Sequence, residues 1–137
     1  MWWWYALLSA FFAALTAVFA KMGIRQMDSD LATAIRTVVI LLVAWAIVLV
    51  KGSGSGITHL SKQNWLFLLL SGAATGLSWI CYFKALQMGK VSQVAPVDKL
   101  SVALAIILSF VFLGEQLTLK TIAGASLIIG GTLVLIL

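Results

Sequence analysis

Charge is what this sequence has least of. Only 9% of its 137 residues are Asp, Glu, Lys or Arg, where a soluble domain carries about 25%. With 63% hydrophobic residues, no folded surface could be polar enough for water, so the chain reads as an integral membrane protein. Cysteine occurs once, as Cys81 inside an apolar run, which excludes a disulfide framework. Histidine occurs once, as His59 in a loop without ligand-type neighbours, so no metal site is expected. There are four acids, and outside the first loop only Asp98 and Glu115 remain. Neither paired carboxylates, a Ser–His–acid set nor a phosphate loop can be assembled from this inventory, so no catalytic residues, no enzyme and no cofactor are expected. The lack of a nucleotide-binding segment excludes ATP-driven transport by this chain alone. The net charge is +5, but the bases stand singly between apolar runs and offer no face to a nucleic acid.

What is present is a series of apolar runs. A spanning helix needs about 20 mostly apolar residues, and five runs qualify: 2–20, 31–50, 65–83, 91–113 and 117–137. In "KMGIRQMDSD", Gly23 can end one helix and Asp28, Ser29 or Asp30 can cap the next. "KGSGSGITHLSKQN" reads as a flexible, exposed connector, while "KALQMGK" and "GEQLT" make the last two turns. Nothing is left over for a soluble domain. The expectation is therefore an all-α integral membrane protein with five transmembrane helices, residues 1–137 forming a single transmembrane domain. "MWWWY" reads as an interfacial anchor. It does not read as a cleaved signal, because no base precedes the apolar stretch and that stretch is longer than a signal core.

Five spans put the termini on opposite sides. One side receives Lys51, Lys62 and Lys120, the other Lys21, Arg25, Lys84 and Lys90. Lys/Arg bias sets orientation, and here it nearly vanishes. Either one or two well-placed lysines or a partner still decides, or the chain inserts both ways up; the balance favours dual insertion.

Ionisable groups inside a membrane are costly and by default mark a site. Arg36 lies early in the second span, Lys84 near the end of the third, and Asp98 and Lys99 early in the fourth. Arg36 and Lys84 are long enough to snorkel. Asp98 is not, and needs a partner. Lys99, its neighbour, points about 100° away on a helix, which makes Arg36 the better candidate. The sole proline, Pro96 in "QVAPVDKLSVAL", removes a backbone bond and predicts a bend facing a polar cavity. Polar residues recur at helical spacing: Asp98, Ser101 and Ser109; Ser71, Thr75, Ser78 and Tyr82, with Trp79 beside them; Thr33, Arg36 and Thr37. Singly, such Ser and Thr residues read as inter-helix hydrogen bonds. Together with embedded charge they read as the wall of a wet cavity. Gly72 and Gly76 read as packing positions.

"LATAIRTVVILLVAW", "WICYFKALQMGKVSQVAPVDKLSVALAIILSFVFLGEQLT" and "IAGASLIIGGTLVLIL" resemble the EamA-type repeat of the drug/metabolite transporter superfamily. The likeness lies in an arginine early in the second helix, an aromatic-basic-Ala-Leu end to the third, a proline in the fourth, a Gly-Glu turn and a Gly-rich last helix. Most members carry two such repeats in opposite orientations; this chain holds one. The resemblance implies a secondary transporter, or half of one, in a bacterial cytoplasmic (inner) membrane. It would move small metabolites or toxic compounds by alternating access as an antiparallel (inverted) homodimer. The expected substrate-binding or cavity-lining residues are Arg36, Ser78, Trp79, Tyr82, Lys84, Pro96, Asp98, Lys99 and Ser101. The first span holds no acid, unlike the small multidrug-resistance proteins, which counts against their mode of proton coupling. The embedded charges sum to positive and tilt the substrate toward an anionic group. The alternative is a non-transporting membrane subunit that stabilises or regulates a partner, with Asp98 and Arg36 as a structural ion pair.

Overall fold

The computed structural model describes residues 1–137. It contains no strands. Five helical segments are long and apolar enough to cross a bilayer: Trp2–Gln26, Ser29–Val50, Lys62–Met88, Val91–Leu113 and Leu119–Ile136. Helix is the form that satisfies every backbone group within its own segment, as lipid requires. The helices are α1 (Trp2–Gly23), α2 (Ser29–Val50), α3 (Lys62–Met88), α4 (Val91–Asp98), α5 (Leu100–Leu108) and α6 (Leu119–Ile136). Large apolar side chains such as Leu69, Leu77, Leu127 and Val134 point outward.

The connections follow from local chemistry. Gly23 does not turn the chain. It stays right-handed (φ −76°, ψ −31°), and α1 tightens into a 3-10 turn, Ile24–Gln26, before Met27 opens into extended backbone. Asp28 is the residue that caps α2, its carboxylate accepting from the N–H groups of Asp30 and Leu31 at 3.0 and 3.1 Å. Two N–H groups orphaned at the helix start are thereby satisfied. The connector read as flexible is instead 3-10 helix over Ser53–His59, entered through Gly52 at φ 66°, a left-handed value that suits glycine. α3 runs five residues past the end expected at 83, because "KALQM" is built from good helix formers.

The chain divides into two compact units. One, Ala20–Gln87, is knit at a single end. Lys21 Nζ donates to the Leu86 carbonyl, near the end of α3, where the helix leaves carbonyls unpaired and favours a cation. Gln87 Nε2 donates to the Met27 carbonyl at 3.0 Å. Ile24, Ser29, Thr33, Phe83 and Leu86 are the buried residues of this unit.

The other unit, Met1–Phe19 with Met88–Leu137, contains α4 and α5 packed on α6. Its fourth span is broken. The break falls at Lys99, three residues past Pro96, where the Lys99 N–H reaches the Pro96 carbonyl at 3.0 Å and the Val102 N–H reaches the Lys99 carbonyl at 3.0 Å. Both are the tight i→i+3 bonds of a 3-10 turn. Pro96 acts upstream by withholding the N–H that would serve Ser92. α5 unwinds through a π turn, Ser109–Leu113, and stops at Gly114 with φ 68°, a conformation that suits glycine.

Candidate functional site

Arg36 is the seventh residue after Ser29, so it sits about 10 Å along α2 from its start. Its guanidinium carbon lies 4.9 Å from the centre of the Trp79 ring and 4.6 Å from that of Phe83. Trp79 and Phe83 are four apart on α3, which puts both rings on one helical face. Phe83 is fully buried and Trp79 is partly exposed. Tyr82 continues the aromatic edge, its ring 5.9 Å from that of Phe83. The rings explain why a cation is tolerated here. An arginine at the centre of a spanning helix costs about 2.5–3.5 kcal/mol on insertion scales. A cation over an aromatic face recovers roughly 0.5–2 kcal/mol, so two rings offset much of that cost.

The rest of the polar face is already spent. Thr33 Oγ1 donates to the Ser29 carbonyl at 2.9 Å, and Thr37 Oγ1 to the Thr33 carbonyl at 2.8 Å. On α3, Thr75 Oγ1 donates to the Ser71 carbonyl at 2.8 Å. These hydroxyls bond back into their own helices rather than across to another. Within its unit the Arg36 guanidinium has no hydrogen-bond acceptor and no carboxylate partner. Two turns earlier on the same face, Ser29 Oγ is buried with no hydrogen-bond partner.

The second unit handles its charge differently. Lys99 Nζ lies 3.4 Å from Asp98 Oδ2. Sequence spacing favoured Arg36 over Lys99 as this partner, on the premise that Lys99 is helical. In the structure Lys99 is the junction residue between α4 and α5 (φ −70°, ψ −9°), and its long side chain reaches back to its neighbour's carboxylate. The Pro96 carbonyl accepts the Thr132 hydroxyl at 3.2 Å, a hydroxyl that also lies 2.8 Å from the Ile128 carbonyl. Thr132 thus bonds across from α6 to α4.

Of the residues expected to line a cavity, Arg36 and Trp79 come together, with Tyr82 next to them; Pro96, Asp98 and Lys99 form the break. Ser78, Lys84 and Ser101 are exposed. Sequence reasoning missed Phe83 and Thr132. The Trp79–Phe83 spacing of four was a readable signal for the first. The Gly130–Gly131–Thr132 run gave no comparable signal for the second.

A multi-pass helical membrane protein with a cation held inside one span and a broken helix in another is the class these features define. The chain belongs to the EamA-like transporter family, whose model matches residues 1–137. It is similar to a protein of Sinorhizobium sp described as an uncharacterized transporter in the cobO 3′ region. The two are 52% identical over 134 residues, covering 98% of this chain and 95% of that one. The relative is therefore of nearly the same length as the sequence compared. No solved structure matches. Family and relative together assign the chain a transporter role in a lipid bilayer.

Proposed function

We propose that residues 1–137 act as a single transmembrane domain of a secondary transporter that works as an antiparallel homodimer. Alternating access about a cavity near the midplane moves small metabolites or toxic compounds, without a cofactor, across a bacterial cytoplasmic (inner) membrane. The observation that carries the dimer is an uncovered set of glycines. No atom lies within 4 Å of where a Cβ would sit at Gly72 and Gly76 on α3, or at Gly124 and Gly130 on α6. Small residues in spanning helices let backbones approach closely, and within its own unit no neighbour packs on any of these four. A second copy is the partner that fits. The near balance of bases between the two sides supports its inverted orientation. The wall of the cavity is formed by Arg36, Trp79 and Tyr82, while the break at Pro96 to Lys99 gives the fourth span a hinge of the kind secondary transporters use.

Light scattering of the purified protein and C-terminal reporter fusions test this reading. The expected results are a dimer, dissociated by Gly72→Leu with Gly76→Leu, and reporter signal on both sides of the membrane. A stable monomer that transports, or a signal from one side only with no partner present, would contradict it. A second reading, a non-transporting subunit that stabilises a partner, draws on the local satisfaction of Asp98 by Lys99. Liposomes containing only this protein separate the two, since a subunit would release nothing.

A further inference from the structure

We infer that Arg36 is the recognition point for a single carboxylate, and that the transported compound is a small organic monocarboxylate whose apolar body lies against Trp79. This deepens the transporter reading above and rests on it.

The geometry around the guanidinium carries the inference. The flat face of an arginine and its edge are chemically distinct: the face stacks on aromatic rings, while five N–H donors lie in the plane around the edge. Here Trp79 and Phe83 lie against the guanidinium at 4.9 and 4.6 Å from their ring centres, but ring faces are poor acceptors for those edge donors. Within the unit the guanidinium donates no hydrogen bond, although Tyr82 interacts with it electrostatically. Thr33 and Thr37, its neighbours on α2, donate to backbone carbonyls, and the guanidinium makes no hydrogen bond to either hydroxyl oxygen. A cation that served only as a strut between α2 and α3 would leave five donors unmet in a medium that punishes unmet polar groups. A carboxylate meets them two at a time, in the parallel fork that guanidinium and carboxylate share.

The charge narrows the ligand further. One guanidinium neutralises one negative charge. A phosphate monoester would keep an excess charge in a low-dielectric site, which is unfavourable without a second cation. The surroundings select the remainder of the molecule. Phe83 is fully buried and serves as a floor beneath the cation, whereas Trp79 and Tyr82 keep exposed surface for an apolar body to cover.

The test uses three probes of one shape on the purified protein in detergent, read by isothermal titration: benzoate, its neutral isostere benzamide, and phenyl phosphate. Benzoate is expected to bind and the other two to bind more weakly. Arg36→Gln should weaken benzoate by about 10- to 100-fold, the span of a charge-assisted hydrogen-bonded contact. Arg36→Lys, which keeps the cation but not the fork, should weaken it to a smaller degree and erase the preference for carboxylate; it also serves if Arg36→Gln does not fold. Wild-type benzoate affinity in either folded variant, or tighter binding of phenyl phosphate, would overturn the assignment. Titration needs no transport, so the two readings fail separately. Benzoate binding lost with Arg36→Gln, in a protein that releases nothing from liposomes, upholds the site and removes the transporter. Release of neutral or cationic compounds by a protein that does not bind benzoate keeps the transporter and removes the site.

Discussion

The two units of the chain both carry charge inside an apolar span, and they neutralise it in opposite ways. At the break in the fourth span, the charge and the Pro96 carbonyl are met by the chain itself. Asp98 has Lys99 at 3.4 Å, and the carbonyl of Pro96 has the N–H of Lys99 and the hydroxyl of Thr132. On α2, Arg36 has aromatic rings for its face and, within its own unit, no hydrogen bond for its edge. A polar group that is satisfied internally contributes to architecture. A cation half-satisfied by design of its surroundings is available to something that arrives. On the proposed reading Asp98 braces and Arg36 binds, the reverse of treating all embedded charges alike.

Several substitutions sharpen or break that contrast. The largest effect is expected at Phe83, the buried floor under Arg36. Phe83→Ala should destabilise the protein by about 3–5 kcal/mol through the cavity it leaves, measured by thermal or denaturant melting. A loss below 1 kcal/mol would mean that the aromatic floor does not hold α2 to α3. Thr132→Val comes next. It removes the hydroxyl that meets Pro96 and leaves a carbonyl with one partner fewer, at a cost of about 1 kcal/mol. Thr132→Ser, which restores the donor, should recover most of it, and equal melting of the two variants would exclude the bond as a contributor.

The smallest effect belongs to the ion pair. Its side chains are 35% exposed at Asp98 and 57% at Lys99, and pairs this open are worth roughly 0.2–1 kcal/mol. A double-mutant cycle with Asp98→Asn and Lys99→Gln should return a coupling within that range. Coupling of 3 kcal/mol or more would show an enclosed pair and give this unit a buried charge site of its own.

The sequence was most informative where one physical rule dominates. Five apolar runs of spanning length could only be helices, and the capping chemistry of "MDSD" led to Asp28 among three candidates. It was least informative where tertiary geometry decides. The pairing of Asp98 with Lys99 falls at a junction past Pro96 rather than at it, where the Lys99 and Val102 N–H groups make i→i+3 bonds. Thr33, Thr37 and Thr75 of the polar stripes bond back into their own helices, an option that spacing alone cannot tell from bonding outward. Phe83 was overlooked for a different reason. Aromatic residues are so frequent beside lipid that a ring four residues from Trp79 does not stand out until the cation above it is located.

The contrast between the two units is tested most directly by efflux from liposomes that contain only this protein and are loaded with a mixture of carboxylic acids, amines and neutral metabolites, the released compounds being read by mass spectrometry. Wild type, Arg36→Gln and the double variant Asp98→Asn with Lys99→Gln are compared at matched folding. The expected result is release of one or more carboxylates by wild type and by the double variant, and a loss of at least about tenfold in Arg36→Gln. Release that survives Arg36→Gln but disappears in the double variant would contradict the account.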